Sequence, residues 1–98
     1  MSHLSQRALR AVTLCRDAQF RLYLDWKKRR QHNLKVDQLP DGTHSEDDAR
    51  HAVCTACGIK SRATLGHMPS ADQMFDRITA DYTRWLRQRQ QQQKRGGA

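Results

Sequence analysis

Residues 74–86 read MFDRITADYTRWL, and the spacing of the apolar side chains in this stretch decides the fold. Its large apolar residues recur in steps of one, three or four positions and are Met74, Phe75, Ile78, Tyr82, Trp85 and Leu86. Such spacing puts them on one face of a helix. Ser70 followed by Gln73 matches a capping box, so we predict that the helix begins there. The stretch therefore predicts a long amphipathic helix that packs against other helices.

Two segments nearer the N-terminus predict helices by the same spacing. The apolar stripe of the first, over about residues 5–15, consists of Leu4, Ala8, Ala11, Val12 and Cys15. The second spans about residues 18–31, with Asp17 as its expected N-cap. Its apolar residues form two strips, one of Phe20, Tyr23 and Leu24 and the other of Leu22 and Trp26. We therefore expect the second helix to be buried on two sides.

Residues 46–57 predict a third helix between two capping signals. Ser45 stands before three acidic residues, and Gly58 can adopt the left-handed conformation that ends a helix. The expected packing stripe of this helix consists of Ala49, Val53, Ala56 and Cys57.

The segments on either side of the third helix predict connections. Before it, residues 32–45 include an Asp41-Gly42 turn signal. The apolar residues expected to hold this connection down are Leu34, Val36 and Leu39. After it, Ser61 is expected to cap one short helical turn over residues 62–65.

Together these patterns predict an all-α fold, a small bundle of four main helices plus one short helical turn. Residues 1–86 are predicted to form a single helical domain, and residues 87–98 a flexible, basic, Gln-rich tail. Because only 37% of the residues are hydrophobic, the predicted core is thin. A homodimer would bury more apolar surface and is considered as one arrangement.

The cysteines predict packing rather than a metal site. The chain has 3 of them, an odd number that cannot all pair internally, so reduced thiols are expected. Cys54 and Cys57, with His44, His51 and His67 nearby, offer ligand types that zinc accepts. The capping signals place the pair inside a helix, however, and there is no second CxxC. We predict small buried side chains with neither metal nor cofactor, and keep a zinc-stabilised protein as an alternative.

Residues 58–65, GIKSRATL, resemble the turn and the start of the recognition helix in helix-turn-helix proteins, where Gly-Val-Ser-Arg-Ala-Thr is common. Lys60 is an extra residue in that pattern, and Gly66 and Pro69 end the segment after a single turn. A recognition helix needs about two or three turns to lie in the major groove. A compact corner between packed helices is therefore predicted, with a helix-turn-helix repressor as the alternative.

Composition and motifs exclude several classes of protein. No apolar run approaches the roughly 20 residues of a membrane span, and the first residues lack the apolar region of a signal peptide. A cytoplasmic protein without a membrane partner is predicted. There is no Gly-rich phosphate loop and no familiar order of catalytic residues, so no enzyme is predicted.

The net charge of +8 is unevenly distributed along the chain. Residues 1–35 hold 9 Lys and Arg against 2 Asp, residues 36–83 hold 4 against 8 acids, and residues 84–98 hold 5 against none. A basic, acidic, basic order predicts that both ends face an anionic partner. Nucleic acid is the commonest such partner.

Two sets of cations are the candidate binding residues. Consecutive residues of a helix point around its whole circumference, so a run of four cations predicts an exposed positive cluster that suits phosphates. The predicted contacts at this cluster are Lys27, Lys28, Arg29, Arg30 and Lys35, with Trp26 available to stack on a base. The second set follows the last apolar positions and consists of Arg84, Arg87 and Arg89, with Lys94 and Arg95 beyond them.

A set of short motifs also resembles a group of known proteins. These motifs are Leu14-Cys15-Arg16-Asp17-x-x-Phe20-x-x-Tyr23-Leu24, then Cys57-Gly58-Ile59-x-Ser61-Arg62, then Phe75-x-x-Ile78 and Trp85. In this order they resemble small uncharacterised proteins of phage and prophage genomes, some of which lie among replication and recombination genes. The resemblance covers most of residues 12–86 and carries no catalytic residue. It implies a bacterial cytosol and work around DNA or a host factor.

The sequence therefore predicts a non-enzymatic accessory protein that binds nucleic acid, most simply the DNA backbone, in phage replication, recombination or regulation. The alternative is a phage protein that binds a host protein, such as a defence or replication enzyme, and inhibits or redirects it. In that case the same basic surface would face an acidic patch on the host protein.

Overall fold

A computed structural model describes the backbone of residues 4–96 and the side chains of residues 4–93. This part of the chain is helical, without strands, which confirms the all-α prediction. Its four α-helices are α1 (Gln6–Arg16), α2 (Ala18–His32), α3 (Glu46–Cys57) and α4 (Pro69–Gly96). A short 3₁₀ turn (Arg62–Thr64) lies between α3 and α4. None of the described helices is long and apolar enough to cross a membrane.

The first three helices begin where short polar side chains bind their free amides, as predicted for α2 and α3. The Asp17 carboxylate accepts from the backbone N–H of Gln19 at 2.9 Å, while the Asp17 N–H donates to the Leu14 carbonyl at 3.0 Å. One residue thus ends α1 and starts α2. Ser45 and Asp48 exchange two 3.1 Å hydrogen bonds in a capping box, and Gly58 ends α3 with φ at 69°.

The start of α4 differs from the prediction, because Ser70 does not cap it. The helix begins at Pro69, whose missing N–H costs nothing in the first turn. Asp72, in that turn, accepts from the Gly66 N–H at 2.7 Å. An acidic side chain that reaches back to the preceding loop takes the place of the predicted Ser70–Gln73 pair.

The core is formed by one face of each helix, with additional residues from the connections. Its largest fully buried apolar side chains are Phe20, Tyr23, Val53, Leu65 and Phe75. Phe20 and Tyr82 meet edge to face with ring centroids 5.2 Å apart. Such a pair contributes about 0.5–1.5 kcal/mol beyond the area that it buries.

Some predicted core positions are wrong. Leu4 is 40% exposed because it precedes the N-cap of α1, and Leu14 is buried on the α1 face instead. Ala56 of α3 is exposed, whereas Cys54 is buried together with Val53. The other three predicted residues, Ala49, Val53 and Cys57, are buried, so the buried stripe of α3 is the predicted one rotated towards Cys54.

The connection between α2 and α3 is held mainly by polar contacts rather than by the predicted apolar residues. Val36 is 60% exposed and Leu34 only partly buried, so Leu39 alone of the three lies in the core. The anchor is Asp25 of α2, which is 0% exposed. Its carboxylate accepts from the N–H of Gly42 at 2.8 Å and of His44 at 3.0 Å, and lies 2.5 Å from His44 Nδ1.

Helix α4 packs against both α2 and α3 and continues well beyond the core. Its 28 residues correspond to about 42 Å of helix, in a molecule of 49 × 29 × 22 Å. The helix runs through residues 87–96, which the sequence placed in a tail, so the boundary after residue 86 is not the end of a helix. Residues 97–98 of that tail lie outside the described residues.

Candidate nucleic-acid interface

The two basic segments of the sequence lie side by side in the fold. The C-terminal half of α2 packs along the second half of α4, with the ring centroids of Trp26 and Trp85 6.3 Å apart. Lys27 Nζ of α2 lies 3.4 Å from Asp81 Oδ2 of α4. The intervening acidic part of the sequence therefore does not separate the two groups of cations in space.

A cleft of about 360 Å³ lies between the two helices beside these tryptophans, and we call it the Trp cleft. Its lining residues are Leu22, Trp26, Arg29, Arg30, Asp41, Trp85, Gln88, Arg89 and Gln92. The guanidinium carbon of Arg30 lies 5.1 Å from the ring centroid of Trp26, and that of Arg89 lies 5.3 Å from that of Trp85. Each arginine is thus held over an indole by a cation–π contact.

The predicted role of Trp26 as an open stacking surface does not match its surroundings. Its ring is half-buried and packs on Tyr23, with centroids 6.2 Å apart, as well as on Trp85. Arg30 lies over the same ring. The guanidinium of Arg30, which is exposed, is therefore more accessible to an incoming base than the indole beneath it. Guanidinium planes also stack on bases.

The four consecutive cations of α2 do not form one uniformly exposed cluster. The side chain of Arg29 is 13% exposed, donates to the Leu39 carbonyl at 2.8 Å and lies 3.1 Å from Asp41 Oδ1. Lys27 donates to the Tyr23 hydroxyl at 3.1 Å and approaches Asp81. Both side chains hold the bundle together, which leaves Lys28 and Arg30 as the outward-facing pair.

The remaining predicted cations are exposed or partly exposed. Lys35 is exposed on the connection after α2, and no ion pair involves Lys28, Arg30 or Lys35 within residues 4–93. Arg84 and Arg87 line a shallow depression of about 420 Å³ on another face of α4. Arg84 lies 3.8 Å from Asp81. The side chains of Lys94 and Arg95 lie outside the described part of the structure.

A tyrosine–carboxylate contact fixes the two helices beside the cations. The Tyr23 hydroxyl donates to Asp81 Oδ2 at 2.6 Å. Burial, and then this hydrogen bond, raises the pKa of Tyr23 well above its ordinary value. The same hydrogen bond, aided by Lys27, lowers the pKa of Asp81. Tyr23 therefore stays neutral and Asp81 stays charged, and the contact keeps α2 in register with α4.

The cysteines are packed in the core, and the short turn after α3 is a corner between packed helices. Cys15, Cys54 and Cys57 are free and buried, and burial raises the pKa of the Cys15 and Cys57 thiols. In the part of the chain that the structure describes, no three His, Cys, Asp or Glu side chains are grouped to hold a metal ion. The turn at 62–64 has only 3 residues, fewer than a recognition helix requires.

Five cleft residues were not among the candidate binding residues of the sequence analysis: Leu22, Asp41, Trp85, Gln88 and Gln92. Trp85 was placed in the core, yet it also lines the Trp cleft and supports Arg89 one turn later. The i, i+4 spacing of an aromatic residue and a cation is visible in the sequence and was the available signal. No protein-family model, curated protein or solved structure matches this chain.

Proposed function

We propose that this protein is a non-enzymatic accessory protein that binds nucleic acid, with DNA as its expected partner, through the joint surface of α2 and α4. The observation that carries the proposal is the Trp cleft, where cations from both basic segments line one concave surface. Their phosphate contacts would be largely independent of sequence, because phosphates carry no sequence information directly.

The geometry of the arginines supports this proposal. Guanidinium groups bind phosphate oxygens in a bidentate manner, and a group already held in place loses less entropy on binding. Arg30 and Arg89 are both held over indole rings. Lys28, Lys35 and Arg87 are exposed outside the cleft and add less directed positive charge to the surface of the protein.

The resemblance to phage and prophage proteins supplies the proposed setting. In that setting the protein acts in the bacterial cytosol, close to replication or recombination of DNA. A basic accessory protein there would coat or bridge nucleic acid and leave the chemistry to its partners.

The test is the binding of nuclease-treated protein to labelled single- and double-stranded DNA across a salt series. The variant Arg30→Gln/Arg89→Gln removes the two cleft cations. A matched control, Lys60→Gln/Arg77→Gln, makes the same charge change at exposed positions outside the cleft. If both cleft arginines contact phosphates, the slope of log K against log[salt] should be shallower in the cleft variant than in wild type. Its magnitude should decrease by roughly 1.4–1.8, since each contact contributes about 0.7–0.9.

The control variant should keep the wild-type slope, and circular dichroism should show that both variants are folded. Wild-type binding that is absent or independent of salt would overturn the proposal. Equal losses in both variants would show that overall charge, not the cleft, drives binding. Capture of a host protein from nuclease-treated lysate, lost only in the cleft variant, would support the inhibitor alternative instead.

A further inference from the structure

A second and larger cleft lies on a different face of α2, where α2, α3 and α4 meet. Its volume is about 530 Å³, within the range of roughly 300–1,000 Å³ that is usual for small-molecule sites. The apolar part of its lining is formed by Leu24, Ala52, Val53, Ala56 and Ile78. We call this space the α2–α3 cleft.

Small residues on α3 create this space. Ala52 and Ala56 lie one helical turn apart and both line the cleft, so α3 has no large side chain there to fill the gap towards α2. This explains why Ala56 is exposed although it belongs to an apolar stripe of the sequence. A concave apolar wall with a few polar groups beside it is typical of a small-molecule site.

The polar side chains that line the cleft include two lysines and three histidines. They are Lys27, Lys28, His32, His44 and His51, and the one acidic lining residue is Asp48. Asp48 is already engaged, because its carboxylate accepts from the Ser45 N–H at the N-terminus of α3. Lys28 is exposed and forms no ion pair within the described residues.

One of these groups is held in a defined orientation. His44 Nδ1 lies 2.5 Å from the carboxylate of Asp25, and the His44 side chain is 11% exposed. With Nδ1 committed to Asp25, Nε2 is the ring nitrogen that remains for another partner.

We propose that the α2–α3 cleft binds a small amphiphilic anion, an apolar body that ends in a carboxylate. The apolar body would lie on the alanine-lined wall of α3, and the carboxylate would lie at the rim, beside Lys28 and close to His44. This site is separate from the Trp cleft and does not depend on nucleic-acid binding.

The test measures binding of dodecanoate to the full chain by calorimetry, at ligand concentrations below those that form micelles. Ala56→Phe fills the cleft from an exposed helical position. Its matched control, Ala80→Phe, adds the same ring at an exposed position of α4 outside the cleft. We expect saturable binding to one site, a loss of more than about tenfold in Ala56→Phe, and no change in Ala80→Phe.

The charge of the ligand is tested separately from its apolar body. Dodecylammonium has the same chain with the opposite charge and should bind at least about tenfold more weakly than dodecanoate. Lys28→Glu should weaken dodecanoate binding and strengthen that of dodecylammonium. Because Lys28 is exposed, this variant should fold normally.

Three results would overturn the proposal. The first is an absence of saturable dodecanoate binding, and the second is equal binding by Ala56→Phe and wild type. The third is equal affinity for the two ligands of opposite charge, which would show non-selective adsorption to apolar surface. DNA binding by Ala56→Phe should be unchanged in all cases, so this test can fail while the proposed function stands.

Discussion

Asp25→Asn should destabilise the protein strongly, although it only replaces one carboxylate oxygen by an amide NH₂. The carboxylate of Asp25 is 0% exposed and accepts from two backbone N–H groups, one of them that of Gly42, as well as pairing with His44. In the variant, the amide NH₂ would replace one of the two carboxylate oxygens. It would then face either the Gly42 N–H or the backbone N–H of His44, and two hydrogen-bond donors would oppose each other. A hydrogen bond to a charged group contributes about 1.5–3 kcal/mol, and the remaining bonds would weaken on loss of the charge. We therefore expect a loss of about 2–4 kcal/mol in the free energy of unfolding.

The loss would be measured by urea unfolding followed by circular dichroism, and by the thermal midpoint. For a domain of this size each 1 kcal/mol corresponds to about 4–8 °C, so the midpoint should fall by roughly 10–30 °C. Asp37→Asn is the matched control, since Asp37 is exposed on the same connection and should have little effect. If the free energy of unfolding of Asp25→Asn lies within about 0.5 kcal/mol of that of the control, the buried carboxylate does not anchor the connection and this explanation is refuted.

Three further predictions follow from other contacts. Gly66→Ala should destabilise the protein by more than about 1 kcal/mol in urea unfolding, because φ at Gly66 is +94° and an added Cβ would collide with Ser5; a neutral or stabilising result would contradict the described loop. Burial, then Asp17, raises the pKa of Tyr82 from its ordinary value of 10.0 to about 12. The unfolded chain ionises first, so stability should be complete below pH 10 and fall as the pH rises towards 12, with tyrosinate absorbance appearing together with unfolding; tyrosinate in the folded protein at pH 10 would contradict this. The pKa of Asp81 is lowered, chiefly by the Tyr23 hydroxyl, so its stabilisation is present above its ordinary pKa of 3.8 and lost as the pH falls through the lower folded value. Asp81→Asn should therefore reduce the loss of stability in acid, and an unchanged acid profile would refute this assignment.

The helices could be predicted from the sequence because their signals are local. Ser45 and Gly58 bound α3 through atoms within a few residues of themselves, so the spacing of residue types was sufficient. The start of α4 was missed since it depends on Asp72 reaching back across six positions to Gly66. A carboxylate in the first turn of a helix can accept a hydrogen bond from several backbone N–H groups. The conformation of the preceding loop determines which of them lies within reach.

The candidate interface could be predicted only in part. The distribution of charge along the sequence was enough to select the two basic segments as candidate binding residues. Their proximity beside Trp26 and Trp85 could not be predicted, because it results from the packing of α2 on α4. The burial of Asp25 and the engagement of Arg29 could not be predicted, because nothing in their neighbouring residues distinguishes them from exposed charges. The α2–α3 cleft depends on what small side chains leave unfilled, which is a property of the assembled bundle.

The position of α4 in the chain has a consequence for synthesis. Phe20 and Tyr23 leave the ribosome early, yet their aromatic partners Tyr82 and Trp85 come from the last of the described helices. Until α4 has emerged, these rings lack the cover that Tyr82 and Trp85 give them in the folded protein. We therefore expect a message cut short before α4 to yield a chain that exposes part of this aromatic surface rather than a smaller stable domain.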